Sequence, residues 1–465
     1  MIKTLYLFIF CSMNVLKFMF KYSALAFASC SIFFTLKSSA QGFKESKVFI
    51  SGSIKKFDKE KHLKSVVFMV SSAFGEITKK AEIIDSTGRF MLETFIASPQ
   101  DISIQYENNT AELFLRPGDS LKIELGVLPF INIIDGTLAV ENRMIQEFKD
   151  KRTTDHYKNP KGVSSLFDKW ATDYTRYEAW SKLIEHYNEE PLLEDSVSYF
   201  LKNYNMNHLP VISGPYTHFI SGLYRYFTHS APQVKSALFA EYAKERNFLG
   251  IGGIFAEGIK SSTTGLTREL LLTMLFMDAL NGQQLTEFKA LWNKYPVLNT
   301  YLKSKILAKS AELEASLKNQ KIKDESTLVQ INQAGGGSVL DSIIMKFPEK
   351  VIYIDFWAPW CSPCMAAMPK SKELQHYYKS KDIAFVFFAS QCSDESWKST
   401  IANQALTGTH YKLTNDQFNV LSSKFDINGI PHYVIINKEG KIANGNAPGP
   451  EQKEGLKHEL DRLLK

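Results

Sequence analysis

The stretch VIYIDFWAPWCSPCMAAMP, residues 351–369, carries the strongest structural signal in this chain of 465 residues. Its apolar run Val351–Trp357 predicts a buried β-strand, and Pro363–Lys379 is suited to an α-helix. Cys361 and Cys364 therefore fall where a strand turns into the N-terminus of a helix. Because the two cysteines are three residues apart, they share one face of that helix.

An α/β pattern continues on the C-terminal side of this stretch. Ile383–Ala389 predicts a second buried strand, and a further strand pair surrounds the turn at Lys438–Gly440. Helices are predicted at Ser393–Ala405 and Asp416–Phe425. Strands that alternate with helices indicate an α/β domain, which we predict over residues 335–465.

Upstream of this domain the periodicity of the sequence changes twice. Short β-rich segments such as Val66–Val70, separated by turn residues, predict a β-sandwich domain over residues 45–128. Helical periodicity, as in Leu266–Ala279, predicts a helical domain over residues 136–318. The predicted fold is therefore multidomain, with an N-terminal β-sandwich, a central α-helical region and a C-terminal α/β domain.

The first 40 residues indicate an export signal. Lys17 and Lys21 precede an apolar run from Tyr22 to Leu36, and the small residues Ser38–Ala40 form a cleavage site. We predict a signal peptide over residues 1–40 and a location in the periplasm or at the periplasmic face of the cell envelope. The alternative is an uncleaved anchor that tethers the protein to the membrane. No later stretch is long and apolar enough to span a bilayer.

Charge and cysteine usage exclude several classes of function. The formal net charge is +6, but without the four lysines of the first 40 residues it is +2, which gives no reason to expect nucleic-acid binding. Three cysteines, Cys361, Cys364 and Cys392, follow the signal, too few for a disulfide-stapled scaffold. An isolated C-x-x-C pair in an exported protein points to redox chemistry. A zinc site needs further ligands, and none is nearby in the sequence, so we predict no metal.

The motif W-C-S-P-C between a strand and a helix, with Gly429-Ile430-Pro431 later before another strand, resembles the thioredoxin superfamily. It is most similar to the TlpA/ResA-like exported thiol–disulfide oxidoreductases, and the upstream β-region resembles the β-domain found before such modules. The resemblance implies a thioredoxin-like fold for residues 335–465 and thiol–disulfide oxidoreductase activity without a cofactor. It also implies two kinds of partner, protein disulfide substrates and an upstream dithiol electron donor.

The resemblance further implies unequal catalytic roles in a redox-active disulfide. Cys361, just before a helix N-terminus, is expected to have a lowered pKa and to attack a substrate disulfide as a thiolate. Cys364, one helical turn on, is expected to displace the substrate from the mixed disulfide. Asp355 matches the acid that assists deprotonation of the second cysteine, the alternative being a solvent-exposed acid at a strand end. For the cysteine pair, a purely structural disulfide is the alternative.

Five residues are expected to bind the substrate: Trp360, Ser362, Pro363, Ile430 and Pro431. Trp360 would shield one side of the site, with ordinary packing as the alternative. Pro431 is expected to follow a cis peptide bond that faces the cysteines, the alternative being a trans proline that opens a strand. The backbone of Ile430 could then pair with an extended substrate, as an added strand does.

Some positions depart from the family pattern. Met365 and Ala367 replace a common basic residue and a common glutamate, so the flank of the site is less charged. His432 replaces a common threonine and is expected to be a non-catalytic surface residue, the alternative being a histidine that tunes the thiolate. Cys392 is expected to be a bystander rather than a third redox thiol. The introductory hairpin that usually precedes the strand at Val351 is not evident.

The leading hypothesis is an exported enzyme that reduces protein disulfides through Cys361 and Cys364. The dipeptide Ser362-Pro363 favours this direction because it is close to the Gly-Pro of reducing thioredoxins. One alternative is a disulfide oxidase or isomerase that uses the same pair. Another is an envelope binding protein with a vestigial thioredoxin domain.

Overall fold

The structure, a computed structural model, describes residues 42–60, 63–126, 129–151, 163–189, 201, 210–245, 247–318, 321–330 and 336–465. The predicted signal peptide at residues 1–40 lies outside these residues. Gly42–Lys465 form one compact unit. Among the described residues, no helix combines the length and the apolar character needed to cross a membrane.

The N-terminal part consists of strands in two four-stranded sheets. The strands are β1 (Ser46–Ile54), β2 (Ser65–Ser71), β3 (Ile77–Ile83), β4 (Arg89–Ile96), β5 (Gln100–Tyr106), β6 (Asn109–Leu115), β7 (Ser120–Leu125) and β8 (Ile131–Gly136). The sheet orders are β4-β1-β7-β8 and β3-β2-β5-β6. Both sheets contribute to one hydrophobic core, in which Ile50, Phe68 and Ile104 are fully buried. The predicted strand-rich region is confirmed, and its description as a β-sandwich stays a prediction.

The central part is helical, as the sequence predicts. Its helices are α1 (Ala139–Lys151), α2 (Ser165–Glu189), α3 (Gly214–Arg225), α4 (Ala237–Glu245), α5 (Phe248–Ser262), α6 (Gly265–Asn281), α7 (Leu285–Lys294) and α8 (Thr300–Lys318). A core of apolar side chains from several of these helices includes Phe219, Leu270 and Phe276, all fully buried. Burial of this extent holds the helices together through the hydrophobic effect.

The C-terminal part is built on a six-stranded sheet of order β14-β13-β10-β11-β12-β9. Its elements are β9 (Ser326–Gln330), α9 (Gly336–Lys346), β10 (Val351–Trp357), α10 (Ser362–Tyr377), β11 (Ile383–Ala389), α11 (Asp394–Gln404), β12 (Gly408–Lys412), α12 (Asn415–Phe425), β13 (His432–Ile436), β14 (Ile442–Asn444) and α13 (Lys453–Leu464). The middle strand β10 is parallel to β11 and antiparallel to β13. Every residue of β10 is buried, because helices cover both faces of the sheet.

The two faces of β10 pack against different helices. Ile354 and Phe356 share a core with α9 and α12, whereas Tyr353 shares a core with α10 and α13. Side chains two residues apart on a strand point to the same face. Asp355 and Trp357 therefore lie on the face covered by α10, the helix that begins directly after Cys361.

The edge strand β9 begins before residue 335, the predicted start of the C-terminal domain. It pairs in parallel with β12, so the C-terminal sheet includes residues 326–330. This strand is short and lies in a largely polar stretch, a combination common at the edges of sheets. For that reason the sequence shows no apolar run at β9 comparable with the run at β10.

Candidate active site at the Cys361–Cys364 pair

Cys361 and Cys364 are brought together by the turn that connects β10 to α10. Cys361 is the N-cap residue of α10, with an extended backbone, and a proline occupies the first helical turn. The two cysteines form a disulfide with their Cα atoms 5.2 Å apart. The sequence-predicted redox pair is thus joined in the structure, at the N-terminus of a helix.

The two sulfur atoms have different environments at the helix N-terminus. The backbone N–H of Cys364 donates a hydrogen bond to Sγ of Cys361, with the nitrogen and sulfur 3.1 Å apart. No acidic residue lies in the first turn of α10 to oppose a negative charge there. Hydrogen bonding to the sulfur and the positive end of the helix dipole both stabilise a thiolate at Cys361 once the disulfide is opened.

The loop before β13 lies against the cysteine pair. The peptide bond between Ile430 and Pro431 is cis, as the sequence predicts. The carbonyl oxygen of Ile430 lies 3.6 Å from Sγ of Cys361. Cys361 and Cys364 are each only 3% exposed. The loop therefore forms one wall of a largely enclosed disulfide.

Asp355 is a buried acid on the same side of the sheet as the cysteine helix. It is only 4% exposed, and its Oδ1 atom has no hydrogen-bond partner among the described residues. Burial, with a smaller contribution from the carboxylate of Glu451, raises the pKa of Asp355 from 3.8 to about 8. Its neighbour on the same face, Trp357, packs in one cluster with Cys361 and Cys364. The alternative of a solvent-exposed acid at the strand end is excluded.

Trp360 connects the cysteine turn to the helical region. Its indole Nε1–H donates a hydrogen bond to the carbonyl oxygen of Gln391 across 3.0 Å. Its ring centroid lies 6.4 Å from that of Phe248, at the start of α5. The backbone of Gly282 also comes close, because a Cβ atom at Gly282 would lie 3.5 Å from Cβ of Trp360. Trp360 is therefore packed partly by a region distant in sequence.

The remaining predicted positions lie in different surroundings. Ser362 and Pro363 are exposed at the start of α10. The expectation of a surface histidine at position 432 is wrong, because His432 is 8% exposed and Nε2 lies 2.8 Å from the carbonyl oxygen of Gly445. His432 is buried because β13 is an inner strand of the sheet, where His432 lies opposite Phe356 of β10. Cys392 is a free, partly buried thiol whose pKa burial raises to about 12.

The described residues contain no cluster of three or more histidine, cysteine, aspartate or glutamate side chains arranged to hold a metal ion.

The C-terminal part of the chain is similar to several known proteins. Residues 349–442 match a family model described as thioredoxin-like. The thiol-disulfide oxidoreductase ResA of Bacillus thuringiensis subsp. konkukian is 25% identical over 120 residues, which cover 26% of this chain and 67% of the relative. ResA of Bacillus anthracis is 26% identical over 114 residues, covering 24% of this chain and 64% of the relative. The chain thus spans about two thirds of the length of these relatives.

A crystal structure of a candidate thiol-disulfide oxidoreductase from Bacteroides vulgatus is 32% identical to this chain. The match covers 26% of this chain and 83% of the Bacteroides vulgatus chain, with a TM-score of 0.24. The family match and the curated relatives assign the C-terminal domain to the thioredoxin superfamily. The curated relatives are thiol-disulfide oxidoreductases, which supports an oxidoreductase activity for this chain.

Proposed function

We propose that this thioredoxin-like chain is an exported reductase that opens disulfides in protein substrates, with Cys361 as the nucleophile and Cys364 as the resolving thiol. The observation that carries the assignment of the nucleophile and the resolving thiol is the hydrogen bond from the Cys364 amide to Sγ of Cys361. It supports a difference between the cysteines, since only the sulfur at the helix N-cap receives this stabilisation.

The proposed reaction starts from the reduced pair. The Cys361 thiolate attacks one sulfur of the substrate disulfide, a bond forms between them, and the other substrate sulfur leaves as a thiolate that takes up a proton. Cys364 loses its proton and attacks Sγ of Cys361, which breaks the mixed disulfide and releases the second substrate thiol. Two electrons have then passed to the substrate, and the Cys361–Cys364 disulfide remains. An upstream dithiol donor returns two electrons and two protons.

Asp355 is proposed to accept the proton that Cys364 loses. A pKa of about 8 places this carboxyl close to the working range of a general acid or base near neutral pH. Its burial on the α10 side of the sheet supports a role inside the protein rather than at the surface. After the disulfide forms, the same group can return its proton when the pair is reduced again.

The reducing direction is supported by the small amount of charge around Cys361. Ser362 and Pro363 lie between the cysteines, and Met365 and Ala367 follow them without adding a positive charge. A pair becomes more oxidising as its thiolate form is stabilised further. Because no basic side chain in the first turn of α10 stabilises the thiolate further, we expect the pair to be reducing. In the same proposal, Trp360, Ser362, Pro363, Ile430 and Pro431 contact the substrate.

Export and domain organisation complete the proposal. In this proposal the signal peptide comprises residues 1–40, the β-sandwich 45–128, the helical domain 136–318 and the thioredoxin-like domain 335–465, with β9 at residues 326–330 as an added edge strand. Processing after Ala40 would place the protein in the periplasm, and an uncleaved signal would hold it at the periplasmic face of the membrane. N-terminal sequencing of the protein isolated from cells tests this part. A cytoplasmic protein that begins at Met1 would contradict it.

An insulin-reduction assay with a dithiol donor tests the activity. Wild-type protein is expected to reduce insulin, and Cys361→Ser is expected to be inactive. Cys392→Ser is the matched control, because its thiol is outside the disulfide and is held protonated by burial. A wild-type protein without reductase activity, or a Cys361→Ser variant that retains it, would overturn the proposal.

A further inference from the structure

A large cleft opens beside Trp360, between the helical region and the C-terminal domain. Its volume is about 1070 Å³. Side chains from both regions face each other across it, with Phe248, Gln284 and Glu287 on the helical side and Gln391, Glu395 and Thr414 on the other. The volume lies just above the range of about 300–1,000 Å³ for small-molecule pockets, so the cleft can accept something longer than a compact ligand.

Hydrogen bonds join the helical region to the C-terminal domain near this cleft. Gln283 exchanges hydrogen bonds with Thr400 across 3.0 and 3.2 Å. Ser399 donates a hydrogen bond to the carbonyl oxygen of Ser316 across 2.9 Å. Trp360 lies at the cleft and directly precedes the nucleophile Cys361. A molecule in the cleft would therefore lie close to a disulfide presented to Cys361.

The lining of the cleft suits a polypeptide backbone. Gln284, Gln391 and Asn415 carry side-chain amides, each of which can both donate and accept hydrogen bonds. Backbone N–H and C=O groups of an extended segment need partners of both kinds. Trp360 and Phe248 add aromatic surface that can cover apolar side chains.

Charge in the cleft favours basic side chains. Four acidic residues line it, Glu287, Glu314, Asp394 and Glu395, against two lysines, Lys318 and Lys412. Lys412 forms an ion pair with Asp394, and Glu314 pairs with Lys289, which lies outside the lining. The charged lining residues outside these two ion pairs are Glu287, Glu395 and Lys318, and together they carry a net negative charge. Such a surface attracts positively charged partners and repels acidic ones.

We infer that this cleft binds an extended, basic polypeptide segment that flanks the substrate disulfide. The inference rests on the proposed reductase function and adds a substrate class to it. The helical region supplies half of the binding surface, so substrate choice is made jointly by two regions of the chain. The disulfide exchange itself remains at Cys361 and Cys364.

The test uses the full-length chain and a charge-reversed double variant, Glu287→Lys with Glu395→Lys. Three disulfide substrates are compared. Two are peptides with the same intramolecular disulfide, one with lysines and the other with glutamates beside it. The third is bis(2-hydroxyethyl) disulfide, which is small and neutral. In the wild type we expect a lower KM for the lysine peptide. In the variant we expect that KM to rise about tenfold and the KM for the glutamate peptide to fall. The rate with the small disulfide should not change.

The control variant combines Glu241→Lys with Glu454→Lys. Both residues are exposed and lie outside the cleft, and Glu454 occupies a first helical turn as Glu287 and Glu395 do. This control should keep the wild-type preference. Activity on the small disulfide with no change of peptide preference in the cleft variant would overturn the inference and leave the reductase proposal intact. A wild-type protein inactive on all three disulfides would overturn the reductase proposal itself.

Discussion

Asp355 on β10 lies directly opposite Tyr433 on β13, in the antiparallel pairing of two neighbouring strands. Burial raises the pKa of Asp355 to about 8, and burial followed by the charge of Asp355 raises the pKa of the Tyr433 hydroxyl. At neutral pH the tyrosine is therefore uncharged and the carboxyl is largely protonated. The only group of this pair that can exchange a proton near neutral pH is Asp355.

Replacing Asp355 by asparagine should slow turnover and change its pH dependence. In the wild type, the rate of resolving the mixed disulfide should rise with pH up to about 8, as the carboxylate forms and can take the Cys364 proton. In Asp355→Asn this ionisation should disappear, and the rate at pH 7 should fall by about tenfold or more. Single-turnover kinetics between pH 5 and 9 measure both effects.

Asp341→Asn is the matched control for that substitution, because Asp341 is exposed on α9. It should reproduce the wild-type profile. An Asp355→Asn variant with an unchanged rate and pH profile would show that Asp355 takes no part in proton transfer.

The same substitution should stabilise the folded protein at neutral pH. The ordinary pKa of the carboxyl is 3.8 and its pKa in the folded protein is about 8. Between these pH values the carboxyl is ionised in the unfolded chain and protonated in the folded chain. The free energy of unfolding is therefore highest below pH 3.8 and decreases as the pH rises to 8. At pH 7 the free energy of unfolding of the wild type is lower than below pH 3.8 by at most about 4 kcal/mol.

Urea unfolding of Asp355→Asn and wild type at pH 4 and pH 7 measures this effect. The free energy of unfolding of the variant minus that of the wild type should be larger at pH 7 than at pH 4. An equal difference in the free energy of unfolding at both values would mean that Asp355 titrates normally in the folded protein.

The local part of this architecture could be predicted from the sequence. The run Val351–Trp357 is apolar because helices bury both faces of β10, and the cysteine turn and the loop at Pro431 carry short, specific motifs. Two edge strands, β3 and β9, show no comparable signal in the sequence. Most residues of β3 are exposed and two consecutive lysines interrupt it, and β9 is short and polar.

Contacts between regions distant in sequence could not be predicted. Phe248 and Gly282 approach Trp360 only because the helical region packs against the C-terminal domain. No local pattern reports such packing, since each of these residues fits its own helix or turn without it. The burial of His432 likewise follows from the order of strands in the sheet, which places β13 between β10 and β14.

The redox couple should be reducing. Because α10 has no charged side chain in its first turn next to Cys361, we expect a reduction potential more negative than about −200 mV. Titration in glutathione buffers, followed by alkylation and mass measurement of the cysteines, gives the value. The Cys392→Ser background removes the third described thiol from the count. A potential near about −120 mV would identify the pair as an oxidant.

Trapping of the mixed disulfide tests the unequal roles of Cys361 and Cys364 most directly. Full-length Cys364→Ser, reduced and mixed with a disulfide substrate, keeps the nucleophile at the helix N-cap but lacks the thiol that resolves the intermediate. It should accumulate a covalent complex through Cys361, seen as an added substrate mass that a dithiol removes. Cys361→Ser should form none under the same conditions. Equal trapping by both variants, or trapping by Cys361→Ser alone, would contradict the assignment of Cys361 as the nucleophile.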